Sequence, residues 1–376
     1  MSAESTQPRP APAGNDEAAA PPSQRRERIF SGMQPSGEAH LGNYLGALRR
    51  WVKMQEAYDC VWCIVDQHAI TAGGDPADLP GNVFDLAVSY LAVGLDPERA
   101  IIFVQSDVKE HTELAWLFNA VTPVGDLERM TQYKDKSSRF ESVPAGIFNY
   151  PILQAADILL YKADGVPVGE DQRQHLELSR EIARRFNAAY GKTFPVTRPL
   201  ISRQVGRILG LDGSAKMSKS LGNTIGILAE PPQVRKRLRT AVTDPKRVRR
   251  SDPGDPEVCN VFALHAHFTD EERRTEIGEA CRKAEIGCVE CKRSLSDSVS
   301  EAFTPYRERA ATYREHPSRV REILEDGAKR ARAVAGATIA EVRSRMGIDW
   351  RRAVPLPTVT GPAAITRPDP AATRTR

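Results

Sequence analysis

The rhythm of apolar positions changes once along the chain, near residue 228. Upstream, short continuous apolar runs such as Val61–Val65 and Ile101–Val104 alternate with longer segments of helical period such as Asn82–Leu95. A short apolar run bounded by polar residues reads as a strand buried on both faces, and strands alternating with helices predict an α/β fold with a parallel sheet and crossover helices. In such sheets ligands sit at the carboxyl ends of the strands. Downstream the strand-like runs vanish and Arg-rich amphipathic segments take over, predicting helices over 297–315 and 317–346, the second broken near Gly327. Residues 1–27, with five Pro and six Ala, and 354–376, with five more Pro, are expected to be disordered tails. The folded part divides into 28–227 and 228–353, a soft boundary because the last helix can cross back onto the sheet.

Composition adds little to that division until charge is resolved locally. The 376 residues carry 53 Lys and Arg against 49 Asp and Glu, a formal charge of +4, which is too balanced for a protein that coats a polyanion. Residues 235–250 nevertheless hold eight Lys or Arg against one acid, Asp244. No apolar stretch approaches the ~18 residues of a membrane span, and the N-terminus lacks the apolar core of a secretory signal, so a soluble, cytoplasmic chain without a membrane partner is expected. Six cysteines in such a setting are metal ligands, reactive thiols or packing rather than a disulfide framework.

Two segments carry candidate chemistry. Ile29-Phe30-Ser31-Gly32 would end a strand, and the turn Met33-Gln34-Pro35-Ser36-Gly37 leads to His40-Leu41-Gly42-Asn43. A helix opening there would offer unpaired N–H groups and a positive dipole end to phosphate, with His40 and Asn43 one turn apart, although a Gly-rich turn can also be only a tight connection. About 175 residues later, Lys216-Met217-Ser218-Lys219-Ser220 lies in a Gly-rich loop (Gly210, Gly213, Gly222). Two mobile ammonium groups can follow the charge that builds on a departing pyrophosphate, whereas a solvated basic turn is the plain alternative.

Together these segments resemble the two signature motifs of class I aminoacyl-tRNA synthetases, and the sequence between them is similar to the tryptophanyl-tRNA synthetase family. The resemblance runs through Phe30–Trp51, Cys63–Thr71, Gly125–Lys136, Tyr150–Asn187 and Lys216–Ser220, with Asn43 ending the first signature as is usual in this family. It implies a Rossmann-like doubly wound sheet with a C-terminal helical anticodon-binding domain. It also implies ATP-dependent activation of L-tryptophan and transfer to tRNA by a homodimer with a shared environment near Gly125–Lys136. His40, Asn43, Lys136, Lys216 and Lys219 would meet ATP phosphates bridged by Mg²⁺; Met217 and Ser218 belong to the same loop. Gly32 and Gln34 would line that pocket, and Gly169 and Asp171 would bracket ribose and amino acid. A tyrosine-specific synthetase shares the signatures, but Asp157 and Gly169–Gln172 resemble the tryptophan branch. An auxiliary or inhibitor-resistant paralogue with a partner-binding role is the other alternative.

Selection of the side chain is expected at Asp157, an acid in the apolar helical run Pro151–Ile158. A buried carboxylate is costly unless a donor meets it, and indole N–H is a donor that phenylalanine lacks. Tyr150 and Gln172 would hold the α-amino group, Val166 and Val168 would pack the ring, and His68 would line the pocket. Gln154 departs from the methionine common in bacterial relatives.

Cys259, Cys281, Cys288 and Cys291 form C-x21-C-x6-C-x2-C, a set that suits an iron–sulfur cluster or zinc, or remains as free thiols. Family members with nearly this spacing bind a [4Fe-4S] cluster, and so the resemblance favours the cluster over zinc, beside a basic surface for tRNA. Cys60 and Cys63 fall in a strand pattern where their side chains diverge, which reads as packing.

Overall fold

The computed structural model describes residues 25–137, 140–169, 172–201 and 208–350. Five strands form one parallel sheet: β1 Arg28–Met33, β2 Asp59–Ile64, β3 Ala100–Val104, β4 Gly165–Val168 and β5 Arg198–Ile201. Their spatial order is β3-β2-β1-β4-β5, so the winding reverses between β1 and β4, and the carboxyl ends of those two strands flank a crevice suited to a ligand.

Alternation along the strands separates two cores. On β2, Cys60, Trp62 and Ile64 enter one apolar cluster with Ile102 and Val104 of β3. Val61 and Cys63 enter the other with Phe103, because successive side chains of a strand point to opposite faces. Cys60 and Cys63 are therefore packing residues on opposite sides of the sheet. Trp62 stacks on Trp51 at 4.7 Å between ring centroids, fixing the helix Arg49–Met54 on the first face. The second face is covered by the helices Glu110–Asn119, Ala145–Leu160 and Arg173–Tyr190.

Beyond residue 228 the chain is helical, through Pro231–Arg239, Asn260–Phe268, Glu271–Arg282, Cys288–Ala302, Thr304–Glu315 and Pro317–Met346. Two expectations change here. The helix expected over 297–315 is two helices, with Pro305 in the first turn of the second, where its missing N–H costs nothing. The helix expected to break at Gly327 runs unbroken for 30 residues. A Cβ on Gly327 would lie 1.8 Å from the Ile102 carbonyl oxygen, so this glycine serves contact between helix and edge strand rather than a bend. Ala328, Ala331 and Ala335 extend the contact into the second core, and Lys162 Nζ pairs with Glu341 at 2.6 Å. The last helix thus returns to the sheet and covers the β3 edge, which would otherwise present unpaired backbone groups.

At the N-terminal edge, Arg25 donates to Asp164 at 2.7 Å and Glu27 pairs with Arg198, so the end of the segment expected to be a tail is tied down. Residues 1–24 and 351–376, most of both expected tails, lie outside the described residues. Among the described residues, no helix is long and apolar enough to cross a membrane.

Candidate active site

β1 ends beside β2 so closely that a Cβ on Gly32 would meet Val65 Cγ1 at 2.7 Å. The chain then turns through the exposed Gln34 to His40, which caps the helix opening at Leu41. His40 Nδ1 accepts the Asn43 backbone N–H at 3.3 Å, and Asn43 Oδ1 accepts the His40 backbone N–H at 3.0 Å. This reciprocal cap occupies the helix's first turn and fixes the two side chains against each other. Burial, then the charges of Lys219 and Lys216, push the His40 imidazole down to about 4, so it is neutral near pH 7. With Nδ1 accepting, the ring proton sits on Nε2.

The second signature docks on the first. Gly42 N–H donates to Met217 Sδ at 3.3 Å, and Met217 is buried. Lys219 Nζ donates to the Ser36 carbonyl at 2.7 Å. Backbone bonds from Leu41 to Ile225 (2.8 Å) and from Ile227 to Ala39 (3.0 Å) zip the two segments together. Two residues that the sequence does not single out hold this arrangement. Asn223, buried, accepts Ser218 N–H at 2.7 Å and donates to Asp212 at 2.6 Å, packed so closely that a Cβ on Gly210 would overlap its amide. Glu38 accepts the Leu228 backbone N–H at 2.7 Å. Neither belongs to a recognisable motif; each is one polar residue among many in its loop. Lys216 is exposed at the lip of the site.

Across the crevice, a buried polar cluster gathers the residues expected to read the amino acid. Asp157 is 2% exposed. Its Oδ2 accepts from His68 Nε2 at 2.9 Å, and its Oδ1 accepts from Gln105 Nε2 and His111 Nδ1, both at 2.7 Å. Burial alone would push this carboxyl up, but the hydrogen bonds from His111 and His68 outweigh it and hold the group well below the usual carboxylate range. Asp157 is therefore an ionised acceptor. The donors that offset its burial come from the protein itself, which is the structural pairing that stands as the plain alternative to a ligand for an acid in an apolar helical run. His68 follows β2 on the short helix Asp66–Ala69, and its ring meets Tyr150 edge-on at 6.3 Å. Tyr150 Oη lies 2.9 Å from His175 Nε2, and Gln154 Nε2 donates to Gln172 Oε1 at 3.4 Å. Val166 and Val168 lie on β4, with Gly169 exposed after them. Gln105, His111, Tyr161 and His175 were missed; Gln105 alone carried a signal, standing at the carboxyl end of β3.

Lys136 lies on the helix Thr131–Ser137 with its side chain outside the described residues, as is all of Asp171.

The four cysteines of the helical half converge from helix ends. Cys259 precedes Asn260–Phe268, Cys281 closes Glu271–Arg282, and Cys288 and Cys291 open Cys288–Ala302. Burial pushes the Cys291 thiol up to about 12, reinforced by Cys259, Cys281 and Cys288. Arg247 donates to Cys281 Sγ at 3.6 Å, and Cys291 Sγ lies 3.5 Å from His265 Nε2. Among the described residues, however, no three His, Cys, Asp or Glu side chains are arranged to hold a metal ion.

Comparison with known proteins agrees with this geometry. Residues 22–304 match the family of class I tRNA synthetases for tryptophan and tyrosine. The chain is 52% identical over 324 residues to the tryptophan–tRNA ligase of Deinococcus radiodurans, covering 85% of this chain and 98% of that one. It is 45% identical over 327 residues to the Thermotoga maritima enzyme of the same name, covering 85% and 99%. The crystal structure of Campylobacter jejuni tryptophanyl-tRNA synthetase with ADP and tryptophan superposes with a TM-score of 0.78 at 38% identity, covering 85% of this chain and 99% of that one. The chain belongs to the class I tryptophanyl-tRNA synthetases of bacteria, and its activity is that of a tryptophan–tRNA ligase.

Proposed function

We propose that the crevice between β1 and β4 performs both steps of the ligase reaction with the following division of labour. The tryptophan carboxylate attacks the α-phosphorus of ATP, the bond to the β-phosphate breaks, and pyrophosphate leaves; Mg²⁺, when bound, would offset its charge. A ribose hydroxyl at the tRNA 3′ end then attacks the carbonyl carbon of the adenylate, the acyl–phosphate bond breaks, and AMP leaves. Catalysis of the first step is positioning and charge stabilisation. Neutral His40 donates through Nε2, and Asn43, Lys136, Lys216 and Lys219 meet the phosphates. Gly32 and Gln34 line the nucleotide pocket, Met217 and Ser218 hold the lysine loop against the first signature, and Gly169 and Asp171 bracket the ribose. Asp157 accepts the indole N–H, Tyr150 and Gln172 take the ammonium, and His68, Gln154, Val166 and Val168 enclose the ring.

The observation that carries this reading is the seating of Met217 against Gly42, which brings Lys219 over the turn at Ser36. Exchange of pyrophosphate into ATP, measured with each amino acid in turn, tests it. Tryptophan alone should support exchange, and equal rates with tyrosine would overturn the assignment.

Three finer points belong to the same proposal. The C-x21-C-x6-C-x2-C spacing and the arrival of the four cysteines from three helix ends support a [4Fe-4S] cluster, with zinc as the second choice, although the thiols as they stand are not arranged around a metal; a bound group would cross-link those helices beside the basic segment 235–250. Val124, 60% exposed, adjoins Gly125–Lys136, and Trp116, 75% exposed, lies on the preceding helix nine residues before it; both supply apolar surface for a homodimer. The working place is the cytoplasm, where the tRNA is charged.

A further inference from the structure

Behind the carboxylate assigned to the indole lies a buried chain of polar groups that the reaction does not use. His111, with no exposed surface, bonds Asp157 Oδ1 through Nδ1 at 2.7 Å and lies 2.8 Å from Tyr161 Oη through Nε2. Gln105, equally buried, donates to the same oxygen at 2.7 Å. A carboxylate oxygen accepts about two hydrogen bonds, so Oδ1 is full. Among the described residues Oδ2 holds one bond, from His68, which leaves one acceptor position to spare.

We propose that His111 and Gln105 are positioning residues for tryptophan selection: by saturating and clamping Oδ1 they prevent rotation of the carboxylate and reserve the spare position on Oδ2 for the indole N–H. The inference rests on the reading of Asp157 as the indole acceptor. His68 and Tyr150, which meet edge-on, mark the Oδ2 side as the side of the amino-acid pocket. On the other side Tyr161 stacks on Phe30 at 5.5 Å and is closed from solvent, so His111 is backed by a rigid wall. A buried acid whose donors served only stability would be replaceable by well-packed apolar residues at little cost. Two donors on one oxygen and one on the other instead give the site direction. A freed carboxylate could turn and bond internally, and the penalty that rejects a ligand without N–H would vanish.

The test compares tryptophan with its benzothiophene analogue, in which sulfur replaces the indole N–H and shape is nearly kept, in pyrophosphate exchange by the full-length protein. The readout is the ratio of the two kcat/KM values. His111→Leu and Gln105→Leu should each lower that ratio about tenfold, the scale of one hydrogen bond to a charged group, while KM for ATP stays unchanged. His111→Asn, whose amide can replace Nδ1–H, should recover most of the ratio. Equal losses for both amino acids, leaving the ratio unchanged, would assign His111 and Gln105 to stability alone and overturn the proposal. Asp157→Asn separates the two levels. If it lowers the ratio while the other variants do not, only the positioning role fails; if it leaves the ratio unchanged, the assignment of Asp157 to the indole fails first. Should His111→Leu not fold, Gln105→Leu carries the same comparison.

Discussion

Gly42 N–H donates to Met217 Sδ across 175 residues of sequence, and a side chain on Gly42 would crowd both Met217 and His40. A Cβ there would lie 3.1 Å from Met217 Cβ and 3.0 Å from His40 Cε1. One atom would therefore disturb both the capped histidine and the loop that bears Lys216 and Lys219.

Gly42→Ala should slow adenylate formation by up to about tenfold, because His40 and Met217 must shift by only a fraction of an ångström, where a full ångström of misplacement costs on the order of 100-fold. Tryptophan binding should stay within about twofold, because Asp157 and its partners lie across the crevice. Single-turnover adenylate formation and calorimetric tryptophan binding measure the two effects separately. Lys216→Ala combined with Lys219→Ala should give the same split.

Stability should fall on mild acidification through His40. Its folded-state value, pushed down to about 4 by burial and then by Lys219 and Lys216, lies below the ordinary 6.5. The unfolded chain therefore binds the extra proton first. The contribution is complete above pH 6.5 and is lost progressively towards pH 4, by at most about 3 kcal/mol. Denaturant titrations between pH 7 and 4 should show His40→Asn losing less stability than the parent.

Gly327→Ala separates helix propensity from packing. In an exposed helix the change would stabilise by about 1 kcal/mol. Here a Cβ would lie 1.8 Å from the Ile102 carbonyl oxygen, so the sign reverses. A loss of about 3 kcal/mol or more is expected, read as a fall in Tm. A raised Tm would mean that the helix does not sit on β3.

Protein prepared without oxygen should be brown and carry about four iron per chain if the thiols hold a cubane cluster. Cys288→Ser should remove the colour and the iron while tryptophan-dependent pyrophosphate exchange continues. A colourless protein with stoichiometric zinc would replace the cluster by the metal.

Trp116→Glu should convert a species of twice the 41.5 kDa chain mass into a monomer, as read by light scattering. A parent protein that already runs as a monomer would remove the proposed interface at Gly125–Lys136.

The elements were legible where periodicity and chemistry coincide. β2 and β3 were readable as apolar runs because a strand covered on both faces has no polar positions to interrupt it. The two signatures were readable because glycines, a His and an Asn one turn apart and paired lysines are local devices; that the His and Asn cap each other was not. Gly327 shows where local reading fails: in a helical pattern a glycine signals a break unless the packing partner, Ile102 of β3, is known. Asp157 shows the same limit in the site. Its burial could be inferred from its neighbours, but Gln105, His111 and His68 reach it from three other segments.

By itself, the sequence determined the parallel α/β layering and the two signature segments, each from residues close together in the chain, and the family from the two segments taken together. Tertiary structure alone decided that Met217 rests on Gly42, that both oxygens of Asp157 are already engaged, and that the last helix closes the sheet edge. Those relationships depend on atoms within about 3–4 Å of each other whose residues are far apart in sequence, and hydrogen bonding and steric exclusion act only at that range.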